Sequence, residues 1–192
     1  MSQIAFYLDM TRCVGCRTCQ VACKDKNRIM VPGTLFRHVE SWETGTFPDA
    51  HVYHTSTSCN HCENPLCVAS CPQGALYKDD DGAVVLDGDA CIGCQACVEA
   101  CPYGACHYFE EENLVHKCDT CKVLREAGGN PACVDSCPMR ALDFGDAEEI
   151  KQKYGDGLVT ALPAWPDGGT SPQTYFKVND RVMEENPRWV LI

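Results

Sequence analysis

Cys91-Ile92-Gly93-Cys94-Gln95-Ala96-Cys97-Val98-Glu99-Ala100-Cys101-Pro102 puts three cysteines on one tight loop and a fourth three residues later, directly before proline. In two-cluster ferredoxins a C-x2-C-x2-C loop supplies three thiolates to one [4Fe–4S] cluster, and the Cys before Pro reaches the neighbouring cluster. Outward from this stretch the closing phrase returns twice, at Cys67-Val68-Ala69-Ser70-Cys71-Pro72 and Cys133-Val134-Asp135-Ser136-Cys137-Pro138. Group one, Cys13-x2-Cys16-x2-Cys19-x3-Cys23, repeats the spacing of group three to the residue. Groups two and four, Cys59-x2-Cys62-x4-Cys67-x3-Cys71 and Cys118-x2-Cys121-x11-Cys133-x3-Cys137, lengthen only the gap between the second and third cysteines. Sixteen of the seventeen cysteines thus form four groups of four, enough thiolates for four cubanes.

The spacing follows from the chemistry. Three thiolates on a tight loop cap three corners of a cube, while the loop's N–H groups turn toward sulfur and help set the potential. Gly15 and Gly93 fit that close approach, and Pro72, Pro102 and Pro138 end each ligand run. Tetrahedral zinc uses two C-x2-C pairs and has no need of a triplet followed by a remote Cys-Pro. A disulfide framework calls for an even count and a secretory signal, whereas there are seventeen cysteines and the chain opens Met1-Ser2-Gln3-Ile4 with no apolar h-region.

At 192 residues and a formal charge of −11, one compact unit or two small fused ones is expected, and no apolar stretch approaches the roughly 20 residues of a membrane span. Four oxidised clusters, each a +2 core on four thiolates, take the charge to about −19. Such a body repels nucleic acid and anionic lipid. With so much of the interior given to cofactor, metal binding is folding free energy and the apo chain is poorly folded. Arg12, Arg17, Lys24, Lys26 and Arg28 accompany group one, and Lys117, Lys122, Arg125 and Arg140 flank group four, as offsets to cluster charge or as solvent-facing cations. Group three has no basic residue between Asp89 and Cys106, so its cluster is the harder to reduce if potential follows local charge.

Ile4 to Asp9 reads as a strand entering group one, followed by a helix from Thr18 to about Asn27. Leu35 to Val39 and His51 to His54 alternate as two strands of a hairpin, Ala83 to Asp87 follows a turn at Asp80-Asp81-Gly82, and Ala105 to Phe109 forms a strand after group three. Residues 59 to 109 therefore run loop, helix, strand, strand, loop, helix, strand, the order of a two-cluster ferredoxin module. Groups one and four can close on each other as a second module; sequential pairing, one with two and three with four, stays open on spacing alone. Asp146 caps a helix that ends at Gly155. Residues 156–192 carry Trp165 and Trp189 without a strong period, a tail packed across its own protein or laid on a partner. No nucleophile–base pair, phosphate loop or dinucleotide fingerprint is present. His38, His51, His54, His61, His107 and His116 read as surface or packed residues.

Thr11-Arg12-Cys13-Val14-Gly15-Cys16, Cys59-Asn60-His61-Cys62-Glu63-Asn64-Pro65, Cys101-Pro102-Tyr103-Gly104-Ala105 and Ser136-Cys137-Pro138-Met139-Arg140-Ala141-Leu142-Asp143-Phe144-Gly145 carry a resemblance over residues 4 to about 155. The chain resembles the four-cluster iron–sulfur electron-transfer subunits of the molybdopterin oxidoreductase family, most closely those of the dimethyl sulfoxide reductase type. This implies an α+β fold of two interleaved bacterial two-cluster ferredoxin-like modules with short strands, short helices and long cluster-binding loops. Residues 4–33 with 110–145 would form the outer module, 34–109 the inner module with a hairpin insertion, and 146–192 a C-terminal helix and an irregular partner-contacting tail. The resemblance pairs group one with group four and group two with group three. It implies four [4Fe–4S] clusters, the iron held by Cys13, Cys16, Cys19 and Cys137; by Cys118, Cys121, Cys133 and Cys23; by Cys59, Cys62, Cys67 and Cys101; and by Cys91, Cys94, Cys97 and Cys71.

The implied function is a non-catalytic subunit that relays electrons between an integral membrane quinol-oxidising anchor subunit and a molybdopterin-containing catalytic subunit. It would sit peripherally on the cytoplasmic membrane with no span of its own and no nucleic-acid partner. The cytoplasmic side is expected, or the periplasmic side if the chain is exported folded with a twin-arginine partner. The beta subunit of a formate dehydrogenase, polysulfide or thiosulfate reductase, or hydrogenase-type complex is the alternative, and a zinc-binding interaction module the distant one. Two positions depart from the resemblance: Gln95 stands where a basic residue is usual, and Cys106 where proline is usual. The seventeenth cysteine is expected to be a small buried hydrophobe.

Overall fold

Ile4–Asp9 is a nearly unbroken apolar run, and all six residues are buried. A strand of this kind needs cover on both faces and a backbone partner on both edges. The computed structural model, which describes residues 2–191, supplies all four. Along the chain run β1 (Ile4–Asp9), α1 (Thr18–Lys26), β2 (His38–Thr44), β3 (His51–Thr57), α2 (Leu66–Ala69), β4 (Leu76–Lys78), β5 (Val84–Leu86), α3 (Ala96–Ala100), β6 (Cys106–Phe109), β7 (Leu114–Lys117), α4 (Lys122–Glu126), α5 (Ala132–Asp135), β8 (Leu142–Asp146), α6 (Ala147–Tyr154), β9 (Thr174–Lys177), a 3-10 turn (Asp180–Met183) and β10 (Arg188–Val190). The architecture is α+β, with short helices and small sheets.

β8 pairs antiparallel with β1, Leu8 opposite Leu142, and β9 pairs parallel on the other edge, Phe6 opposite Thr174. One face of β1 packs Ala5 and Tyr7 on α6, where the Tyr7 and Tyr154 rings stack with centroids 3.6 Å apart. The opposite face turns Phe6 and Leu8 into the main core, which contains Cys19, Cys23, Cys118, Cys133 and Cys137. The same pairing carries α5 onto α1, so the first and last cysteine groups lie together although much of the chain separates them. The β2–β3 hairpin takes β10 on its free edge, with Trp189 opposite Trp42; β4–β5 and β6–β7 are two small hairpins around groups two and three.

The sequence-based strand at Ile4 to Asp9 and the helices from Thr18 and after Asp146 stand where expected, and the Asp146 side chain accepts the Glu148 N–H as N-cap. Two expectations change. The hairpin begins at His38 rather than Leu35, because Phe36 and Arg37 both turn inward instead of alternating. The tail is not irregular throughout: it contributes β9 and β10, strands of four and three residues, too short for a period-two pattern to register. Trp165 also packs near Phe176 and Tyr103 of its own chain. Among the described residues no helix is long and apolar enough to cross a membrane.

Candidate metal centres

The loops of groups one and three wind alike. Gly15 and Gly93 have φ of +66° and +68°, and the residues that precede α1 and α3, Arg17 and Gln95, are both left-handed at 61°. A Cβ at Gly15 would come within 2.5 Å of the His54 ring, and one at Gly93 within 2.5 Å of the Asn113 carbonyl. Glycine is thus required by the backbone and by a neighbouring element, beyond any close approach to sulfur. The Cys-Pro turns repeat as well: Gly74, Gly104 and Arg140, each three residues past the cysteine, have positive φ. The turn aims the following amide back at sulfur, with Ala105 N–H donating to Cys101 Sγ at 3.4 Å and Ala141 N–H to Cys137 Sγ at 3.3 Å. Cys23 has no following proline and stays within α1, where the Asn27 side-chain amide is its donor at 3.5 Å.

Two cavities are each lined by four of the thiols. One, of about 330 Å³, is lined by Cys13, Cys16, Cys19 and Cys137 together with Leu8, Val39 and Ser56. The other, of about 320 Å³, is lined by Cys71, Cys91, Cys94 and Cys97 with Leu76, Leu86 and Val115. Cys16 and Cys94 occupy equivalent loop positions and are the two exposed thiols of the chain. Burial pushes the Cys23 thiol up to about 12, against the pull of Arg37, and Cys133 and Cys121 add to it. Burial likewise lifts Cys62 to about 11, opposed by the Thr170 hydroxyl at 3.2 Å and reinforced by Cys59, Cys67 and Cys101. Burial raises Cys19, Cys118 and Cys97 as well, and Cys133 adds to the push on Cys19, Cys59 to that on Cys118 and Cys67 to that on Cys97.

All seventeen cysteines are unpaired thiols. Among the described residues no three His, Cys, Asp or Glu side chains converge closely enough for a single metal ion. Eight of the thiols, four to each, line two cavities rather than converge on points, a donor arrangement suited to a polynuclear cluster. The residues present fit [4Fe–4S] clusters. Cys106, 3% exposed on β6, packs with Leu76, Val84 and Val115 as expected of a buried hydrophobe. It also lies against Cys67 and Cys101, and its hydrogen bonding draws the Cys101 thiol down to about 6.

Not every cation near the thiols faces solvent. Arg37, 1% exposed, and Lys117, 7% exposed, are buried among them. Burial works against the Arg37 charge, and the sulfurs of Cys133, Cys19, Cys118 and Cys23 more than offset it. For Lys117 burial is outweighed by Cys59, Cys118, Cys106 and Cys67, and the ammonium donates to the carbonyls of Val84 and Cys118. Arg37, Ser56 and Thr170 escape sequence reasoning because only the fold brings them to the thiols; Lys117, adjacent to Cys118, was at least visible as a flanking cation. Of the histidines, His61 is fully buried, its Nδ1 accepting the Val84 N–H at 3.0 Å and burial holding it well below the usual imidazole range.

Four groups of unpaired cysteines, carried on short helices and small hairpins, define a multicluster ferredoxin-like protein. The family described as 4Fe-4S dicluster domain matches residues 50–147, and a 4Fe-4S binding domain matches residues 10–26. One component of the anaerobic dimethyl sulfoxide reductase of Escherichia coli (strain K12) is 42% identical over 186 residues, covering 93% of this chain and 90% of its own length. A component of the polysulfide reductase of Wolinella succinogenes is 38% identical, covering 90% and 93%, and one of the sulfite dehydrogenase of Allochromatium vinosum is 36% identical, covering 92% and 83%. The chain thus belongs to the four-cluster iron–sulfur electron-transfer subunits of the molybdopterin oxidoreductases. It is the electron-carrying and not the catalytic member of such a complex.

Proposed function

We propose that this chain relays single electrons between a membrane-anchored quinol-oxidising subunit and a molybdopterin catalytic subunit of dimethyl sulfoxide reductase type, peripherally on the cytoplasmic membrane. The clusters supply one-electron carriers, and the protein holds them in series. We assign Cys13, Cys16, Cys19 and Cys137 to the first, Cys23, Cys118, Cys121 and Cys133 to the second, Cys59, Cys62, Cys67 and Cys101 to the third, and Cys71, Cys91, Cys94 and Cys97 to the fourth. In this reading the outer module of residues 4–33 with 110–145 wraps the inner module of 34–109, and residues 146–192 latch both.

The observation that carries the proposal is the exposure pattern. Each terminal quartet has one exposed thiol, Cys16 or Cys94, whereas every thiol of the Cys23, Cys118, Cys121, Cys133 quartet is buried and the Cys59, Cys62, Cys67, Cys101 quartet has two buried and two half-buried thiols. A relay needs its ends near two partners and its middle shielded from oxidants. The exposed side chains Val14 and Met139 beside Cys16, and Ile92 beside Cys94, offer apolar contact at both ends. A sulfur-compound enzyme of the polysulfide or sulfite type is the second reading, favoured by those two relatives. Anaerobic affinity purification of this chain should bring down a molybdenum-containing subunit and a membrane anchor, with dimethyl sulfoxide reduced at the expense of a quinol analogue. Polysulfide turnover without dimethyl sulfoxide turnover would select the second reading.

A further inference from the structure

Arg37 is the feature that the relay does not yet explain. Its guanidinium lies in the interior between the first two quartets, with the Phe6 ring over one face at 4.6 Å. Nη1 donates to the Ser56 carbonyl at 3.0 Å and to Ser56 Oγ at 3.3 Å, and Nη2 donates to Ser58 Oγ at 3.0 Å; Nε has no partner. None of these partners is a carboxylate. A buried cation without a counter-ion is costly, so the compensating charge must come from the thiolates around it.

Ser56 Oγ also stands 3.2 Å from Cys19 Sγ. Arginine only donates and stays protonated, so Ser56 Oγ is the acceptor in its bond with Arg37. The single hydroxyl proton of Ser56 is then free for another acceptor, and a ligating Cys19 thiolate can only accept. Direction is therefore fixed along the whole path, from guanidinium to hydroxyl to sulfur.

We propose that Arg37 is a positioning residue that locks the Ser56 hydroxyl as a donor to Cys19 Sγ and places a fixed positive charge between the first two quartets, raising the reduction potential at the Cys13, Cys16, Cys19, Cys137 site. A donor to sulfur and a nearby cation stabilise the more negative, reduced state more than the oxidised one. The inference rests on the assignment of Cys19 as a ligand.

The test is an EPR-monitored redox titration of the assembled complex, with iron content measured on each sample. Ser56→Ala removes the donor and keeps the charge. It should lower one midpoint so that the oxidised-to-reduced ratio at fixed ambient potential rises about three- to tenfold, up to 59 mV for one electron, with the two inner-module midpoints unmoved. Arg37→Gln removes charge and fork together and should lower two midpoints. If Arg37→Gln assembles with less iron, Ser56→Ala decides alone, since it deletes one hydroxyl. Full iron with all four midpoints unchanged in Ser56→Ala overturns the inference. Wild-type protein with fewer than four clusters breaks the underlying assignment instead, and the iron count separates the two failures.

Discussion

The cavity of Cys13, Cys16, Cys19 and Cys137 and that of Cys71, Cys91, Cys94 and Cys97 grow from one sequence spacing and are each lined by four thiols. Their surroundings differ. The first has Arg17 and Ser56 in its wall, with Arg37 behind Ser56, and its fourth thiol arrives from a distant part of the chain through the β1–β8 pairing. Among the described residues, the wall of the second holds no charged side chain, and its fourth thiol comes from the adjacent Cys-Pro turn. Spacing builds the cradle. Residues delivered by tertiary structure set the charge that each cradle feels, which is how one repeated motif can supply stations of different potential.

The largest effects should come from breaking the cradles themselves. Cys19→Ala and Cys137→Ala should each remove about four irons, and the double variant about four rather than eight, because both thiols belong to one site. Cys71→Ala with Cys97→Ala should behave in the same way. Losses that add in the doubles would refute the shared sites and favour sequential pairing of the groups.

The intact cradles should differ next in potential. In a redox titration of the complex, the signal abolished by Cys19→Ala should titrate above the one abolished by Cys97→Ala, since a cation and a hydroxyl donor face only the former. The reverse order would show that solvent exposure or backbone donors outweigh these charges.

Glycine replacements sharpen the comparison on stability. Both Gly15→Ala and Gly93→Ala force a side chain into left-handed backbone at a cost of about 1–2 kcal/mol. Gly93→Ala should lose iron faster in denaturant, because its Cβ meets the Asn113 backbone, whereas the His54 ring opposite Gly15 can rotate. The smallest effect should be acid loosening of the outer region. Burial raises the Asp143 carboxyl, but hydrogen bonds from Lys153 and Tyr154 and the Phe144 N–H outweigh it and hold it below the usual range. A depressed carboxylate contributes stability above its unfolded pKa and loses it as pH falls through the folded value. α6 should therefore loosen below about pH 4, by under 1 kcal/mol after solvent screening; Asp143→Asn should flatten that limb in hydrogen exchange of Ile150.

Much of the site could be read from residues alone, because thiol spacing on a short loop is a local constraint and the sequence records it directly. The strand at Ile4 and the capped helix after Asp146 were legible for similar reasons: one is a sustained apolar run, the other has Asp146 ahead of Glu148 and Glu149 and Gly155 behind. What stayed hidden depends on long-range contact. Thr174–Lys177 becomes a strand only because β1 has a second edge to fill, and Trp189 only because β2 has one. Arg37 sits in a stretch that reads as an ordinary alternating strand, so alternation gave no reason to turn it inward. The flanking basic runs drew attention to surface charge and included Lys117, but gave no sign that Lys117 and Arg37 are buried among the thiols.

The central claim is that the four quartets are filled and form one electron path. Anaerobically purified protein, assayed for iron and acid-labile sulfide with EPR spin counting after full reduction, should give about sixteen of each per chain and four spins. Zinc in place of iron, or a count near eight with two spins, would contradict it.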